Sequence, residues 1–292
     1  MHMDFQKLIR TAESTGCNLY DMALYTEEEG IQVHRFQPCA NANNSYSVAK
    51  AFVVTAIGML WDEKRIQPTE RIAKLFADDI PEEADPGWQD ATLEHAMTHC
   101  LGFDKGFLDI DVDDLSGYMD EDWLQIVFRH PLKHWPGSHR QYSDAAYYLL
   151  SHAVSRAAGE NLDTYLMRKL FRPMHFREVA WSCCPKNYPV GATGLYISSA
   201  DMVKLGALYL NRGLWKGERL LSEEWVQRCI DSGYEFHPII SNGDLIGKGG
   251  MYGQMLAFCP RKRFALAWHA HEENAERVQT LLTALQDLYR FE

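Results

Sequence analysis

Ser47-Val48-Ala49-Lys50 sets a hydroxyl three residues ahead of an amine, directly before the apolar run Ala51-Phe52-Val53-Val54. If a helix begins near Ser47, both side chains lie on one face. The first-turn amides and the positive end of the helix dipole then sit beside the hydroxyl. An amine desolvated by the apolar turns that follow loses much of its preference for the proton and can act as a base toward the serine. The same residues also fit an ordinary N-cap serine with a solvated lysine, so the segments downstream decide between the two.

Two of those segments carry chemistry of their own. Tyr142-Ser143-Asp144 stands before the apolar helix Ala145 to Ala158, offering a phenol to shuttle a proton and a short polar group to orient a neighbour. An aromatic staple with Asp144 as helix cap is the plainer alternative. Gly247-Lys248-Gly249-Gly250-Met251 leads toward the apolar stretch Met255-Leu256-Ala257-Phe258. Its glycines let the backbone approach a ligand closely, and Lys248 offers a cation to a carboxylate or a phenolate.

In this order the three segments resemble the Ser-x-x-Lys, Tyr-x-Asn and Lys-Thr-Gly boxes of the penicillin-recognising serine hydrolases. That family holds the class C-type β-lactamases, the D-alanyl-D-alanine carboxypeptidases and the family VIII esterases. Ala91-Thr92-Leu93-Glu94-His95-Ala96-Met97-Thr98-His99-Cys100-Leu101-Gly102, Leu170-Phe171-Arg172-Pro173-Met174 and Gly194-Leu195-Tyr196-Ile197-Ser198-Ser199-Ala200-Asp201 are similar to further segments of the same family. The resemblance therefore runs from about Asp21 to the C-terminus. It implies two-step acyl transfer, with Ser47 as nucleophile and Lys50 and Tyr142 sharing its proton. Asp144 would orient Lys50, and the Ser47 and Met251 amides would form an oxyanion hole. Lys248, Gly249 and Gly250 would line the substrate, with Lys248 lowering the Tyr142 pKa and anchoring an acidic group.

Two departures bear on the substrate. Asp144 replaces the usual asparagine, exchanging a donor for an acceptor. Gly249 replaces the threonine whose hydroxyl helps hold a β-lactam carboxylate. The incomplete third box, with its compact spacing to Pro260, looks more like the esterase branch, an ester or amide hydrolase for a small substrate. A β-lactamase or D-alanyl-D-alanine carboxypeptidase is the alternative, and a non-catalytic binding relative the second.

The elements that must position these residues can be read coarsely. A helix is expected from Asp4 to Ser14, a hairpin from Tyr20–Tyr25 and Gly30–Phe36, and the nucleophile helix from Ser47 to Trp61. Signals between Thr69 and Ala180 are mostly helical, broken by the acidic stretch Asp109-Ile110-Asp111-Val112-Asp113-Asp114, which reads as a solvated loop. Helices follow at Ser199–Asn211 and Ser222–Ser232, then strands at Met251–Phe258 and Phe264–His269. A last helix spans Glu273–Tyr289, with Val278, Leu281, Leu282, Leu285 and Leu288 forming an apolar stripe. The expected fold is α/β of the α+β type, an antiparallel sheet built from both chain ends and flanked by helices. A sheet domain (1–65 and 181–292) would carry a mostly helical insertion (66–180), with the site in the cleft between them, as in the β-lactamase/transpeptidase architecture.

Composition sets outer limits. The chain has 292 residues, 46% of them hydrophobic, which supplies a substantial core. A net charge of −11 argues against nucleic acid or an anionic membrane as partner. No apolar run is long enough to span a bilayer. Met1-His2-Met3 opens neither a basic nor an apolar leader, so a cytoplasmic enzyme is expected unless a signal peptide was trimmed. The seven cysteines (Cys17, Cys39, Cys100, Cys183, Cys184, Cys229, Cys259) form an odd set without a Cys-x-x-Cys. No cofactor is called for, and the pairs His95/His99, His130/His134 and His269/His271 lack a third ligand for a metal.

Overall fold

The computed structural model describes residues 4–118, 122–240 and 243–290, so Met1-His2-Met3 lies outside it. Among the described residues the main sheet has six antiparallel strands. In spatial order they are Gly30–Arg35, Leu19–Thr26, Phe264–Ala270, Gln254–Cys259, Ile246–Gly250 and His237–Pro238. The first two strands and the last four come from opposite ends of the chain, and Leu19–Thr26 pairs with Phe264–Ala270 at the seam.

Alternation along these strands divides the interior into two layers. Met22, Leu24, Met255, Ala257, Leu266 and Trp268 face the terminal helices Phe5–Ser14 and Ala275–Arg290. Ala23, Leu256, Phe258, Ala265 and Ala267 face the larger core. There the helix Ser199–Leu210 lies on the sheet, and behind it the nucleophile helix packs against Asp144–Ala158. The expected stripe on the last helix is realised, with Leu281 and Leu285 fully buried and Leu282 and Leu288 packed against the same cluster.

From Ala49 to Leu60 the helix that follows Ser47 is apolar but for Lys50 and Thr55, and every residue there is buried. That is the signature of a core helix rather than a surface one. Its α-helical part, Ala49–Asp62, is preceded by a 3₁₀ turn, Tyr46–Val48, so Ser47 stands one turn before the regular helix. The small residues of Ile246–Gly250 hide a strand from pattern reading. The sequence places the strand start at Met251, whereas Met251–Gly253 is the tight turn of a hairpin joining Ile246–Gly250 to Gln254–Cys259. The acidic stretch also differs from expectation. Asp109 and Asp111 are half-buried, because Asp111 accepts from Thr193 Oγ1 at 2.5 Å and from Asn44 Nδ2 at 3.4 Å.

Candidate active site

Three segments converge on Ser47. The 3₁₀ turn presents its hydroxyl, and its amide falls among the first-turn donors that lack a partner within the helix. Tyr142 is held from the opposite side by the loop that precedes its helix. There Gln141 N donates to the His99 carbonyl at 2.8 Å and Ser143 N to His99 Nδ1 at 3.3 Å. The third-box strand closes the site, and Gly250 makes that approach possible. A Cβ on Gly250 would lie 2.6 Å from the Ser45 carbonyl oxygen and 3.2 Å from Tyr46 Cβ, so only glycine brings this backbone against the turn that carries Ser47.

Ser47 Oγ lies 2.7 Å from the Tyr142 hydroxyl and 2.9 Å from Lys50 Nζ. Lys50 Nζ also donates to the Ala192 carbonyl at 2.9 Å and sits 2.8 Å from Asp144 Oδ1. Lys50 has no exposed side-chain surface and Asp144 has 5%. An ammonium has three protons, and here three acceptors meet them. The Ala192 carbonyl is available because Gly191 has φ +78° and would put any Cβ 2.6 Å from the Tyr147 carbonyl oxygen. Burial pushes the Tyr142 phenol up to about 12; Lys248 pulls it back, while Glu235 and Asp144 add to the rise. Lys248 therefore acts on the phenol in the expected direction, but desolvation outweighs the nearby cation and the net shift is upward.

A family model described as Beta-lactamase matches residues 44–289, the span that holds all of these groups. The chain belongs to the β-lactamase family. A protein of Escherichia coli strain K12 named "Putative D-alanyl-D-alanine carboxypeptidase" is 29% identical to this member over 171 residues, covering 56% of this chain and 38% of that protein. This chain thus spans well under half of that relative. Among solved structures, a penicillin binding protein from Bacillus halodurans superposes with a TM-score of 0.69 at 17% identity, covering 97% of this chain and 100% of that one. A family VIII carboxylesterase superposes with a TM-score of 0.73 at 15% identity, covering 97% of each. At these identities the structural likeness speaks for the fold.

Behind Tyr142, this β-lactamase-family site contains a charge cluster that the sequence reading passed over. Lys248, 9% exposed, forms an ion pair with Glu235, whose other oxygen lies 2.9 Å from His99 Nε2. Because His99 Nδ1 accepts from the Ser143 amide, the neutral ring carries its proton on Nε2 and donates it to Glu235. Burial holds the His99 imidazole below its ordinary range, Glu235 opposing. For Glu235 itself burial acts upward, and Lys248, His99 and Lys50 more than offset it, leaving the carboxyl well below the usual range. The His99 ring packs on Tyr142 with centroids 4.3 Å apart, and Lys50 and Lys248 stand 4.8 and 5.1 Å from the centre of the same phenol ring.

Backbone strain gathers around this site. Tyr46, His99, Glu235 and Tyr252 all have φ between +47° and +63°, a region that costs a non-glycine residue on the order of 1–3 kcal/mol. Met251 lies in the turn beside Tyr252, and Gly249 has room, a Cβ there meeting nothing closer than Met255 Cε at 3.6 Å. Tyr252 packs edge-on against Tyr46 and stacks on His271. Of the tryptophans, Trp88 and Trp123 are core and Trp135 is 61% exposed. His269 is buried on its strand, bonded to Gln254 and to the Ile197 carbonyl.

Proposed function

We propose that this chain is a serine hydrolase that cleaves an ester or amide bond of a small substrate through an acyl-enzyme on Ser47. The observation that carries this reading is the hydroxyl held at 2.7 Å from a phenol and 2.9 Å from a lysine whose other donors are already engaged. A charged Lys50 with three acceptors has no lone pair for another proton, so it orients Ser47 and stabilises negative charge there. Tyr142, in its phenolate form, takes the Ser47 proton as the oxygen attacks the carbonyl carbon. Charge builds on the carbonyl oxygen beside the Ser47 and Met251 amides, one such donor being worth on the order of 3 kcal/mol of barrier. As the tetrahedral intermediate collapses, the bond to the leaving group breaks and Tyr142 returns the proton to that group. Water then attacks the acyl-enzyme, giving its proton to Tyr142, which passes it to Ser47 as the acid product leaves.

The acceptor at Asp144 and the absent hydroxyl at Gly249 favour an ester or simple amide over a β-lactam. The carboxypeptidase name of the Escherichia coli relative supports peptidase action as the second reading. Residues 66–180 form an inserted helical unit on a discontinuous sheet unit, 1–65 and 181–292, with Ser47 in the cleft between them. Free cysteines, seven among the described residues, fit a cytoplasmic, reducing setting. Initial rates of the wild type and Ser47→Ala on a short-chain nitrophenyl ester and on a cephalosporin test the assignment. Ester turnover is expected to fall by at least about a thousandfold in a folded variant. Undiminished turnover by Ser47→Ala would remove the nucleophile, and a wild type that prefers the cephalosporin would move the chain to the β-lactamase reading.

A further inference from the structure

Lys248 occupies the position from which the family resemblance would have a cation meet a substrate carboxylate. In this chain that cation already has a partner. Glu235 is 2% exposed, pairs with Lys248 through one oxygen and accepts from His99 Nε2 through the other. Its backbone is held at φ +63°, directly after the turn that ends the helix Glu223–Ser232. The second cation of the site, Lys50, is matched by Asp144 in the same way. Asp109 and Asp111 stand close enough to Lys50 and Asp144 for their charges to be felt, which adds negative potential on that side. Arg140 acts on His237 near Lys248 but is exposed, where solvent and salt screen it.

An anionic acyl group entering this site would meet two neutralised lysines and an excess of carboxylates. We infer that Glu235 sets the substrate class: by matching the Lys248 charge, it makes the pocket select uncharged acyl groups and disfavour those bearing a carboxylate. The inference rests on the serine-hydrolase reading above. Glu235 touches no reacting atom, so it acts as a specificity-determining residue through Lys248.

Two nitrophenyl esters with acyl chains of equal length, a pentanoate and a glutarate monoester, differ only in the terminal carboxylate. For the wild type, kcat/KM is expected to be at least about tenfold higher on the pentanoate. Glu235→Gln, which frees the Lys248 charge, should reduce that preference about tenfold, mainly through KM for the glutarate ester. Glu235→Asp should restore part of it. Equal wild-type rates on the two esters, or an unchanged preference in a folded Glu235→Gln, would overturn the inference. Should Glu235→Gln fail to fold, the double variant Glu235→Leu/Lys248→Met removes both charges, and buried pairs often tolerate such replacement. Its preference is expected to match the wild type, whereas a selective loss on the glutarate ester would mean Lys248 is a carboxylate anchor after all. A Ser47→Ala control that still cleaves both esters would instead sink the hydrolase reading, independently of the preference.

Discussion

At the scale of single residues, the proposed acyl-enzyme route turns on which group can accept the Ser47 proton. Lys50 is fully buried, and its amine is already engaged by Ser47 Oγ, the Ala192 carbonyl and Asp144. The Tyr142 phenol, pushed up to about 12 by burial, is protonated at neutral pH, so the reactive phenolate is a small fraction that grows with pH. kcat/KM on a neutral ester is therefore expected to climb through pH 9 instead of levelling near pH 7. In Tyr142→Phe the rate should drop about 10²–10⁴-fold and lose that climb. Rates measured from pH 6 to 9.5 with both proteins check this. A plateau beginning near pH 7 would mean that a group of lower pKa is the base, and a variant with wild-type rates would return the proton to Lys50. That Lys50 and Tyr142 would meet at Ser47 was legible from the Ser-x-x-Lys spacing and from the order of the three boxes in the family resemblance. Glu235 was not, because its partner His99 is 136 residues away and a lone glutamate before Phe236 has no local mark.

At the scale of elements, the hairpin of Ile246–Gly250 and Gln254–Cys259 decides how closely the site closes on the nucleophile turn. The neighbouring glycines Gly249 and Gly250 differ sharply in what surrounds them. A methyl group on Gly250 would meet the Ser45 carbonyl oxygen at 2.6 Å, whereas one on Gly249 would rest in ordinary contact at 3.6 Å. Gly250→Ala should lose on the order of 1–3 kcal/mol of stability, from the forced backbone shift. The same shift should lower kcat/KM about 100-fold, since it moves the Met251 amide, the proposed oxyanion donor, relative to Ser47. Gly249→Ala should fold with nearly unchanged stability. Denaturant titrations of the two variants side by side give the comparison, and equal losses would contradict the close approach. The nucleophile helix and the terminal helix were readable because an unbroken apolar run and an i,i+4 stripe are local patterns. The strand Ile246–Gly250 was not, since Gly247, Gly249 and Gly250 leave almost no side-chain alternation to read. Asp109 and Asp111 looked solvated for a similar reason, because what buries them includes Thr193, 82 residues from Asp111.

At the scale of the whole molecule, the seam where the two chain ends meet carries an ionisable group away from the reaction. Asp21, on the strand Leu19–Thr26, is paired in register with Arg35 on one side and His269 on the other, and is 3% exposed. Its Oδ1 is buried without a hydrogen-bond partner. Burial raises the carboxyl from 3.8 to about 6, with Ser199, the His269 amide and Arg35 pulling the other way. A carboxyl whose pKa is higher in the folded protein is neutral in both states below about pH 4. Its ionisation costs stability increasingly as pH rises toward 6, and the full cost remains above that. Two pKa units correspond to an upper value of about 3 kcal/mol. Asp21→Asn keeps the shape and removes the charge, so its benefit should follow the same pH window. The variant's melting temperature is expected to exceed the wild type's by about 5 °C at pH 8 and to match it at pH 4. Thermal unfolding of both proteins at the two pH values tests this. A shift of equal size at both would assign the effect to packing, and a lower melting temperature at pH 8 would mean that the Asp21 charge holds the seam together through Arg35.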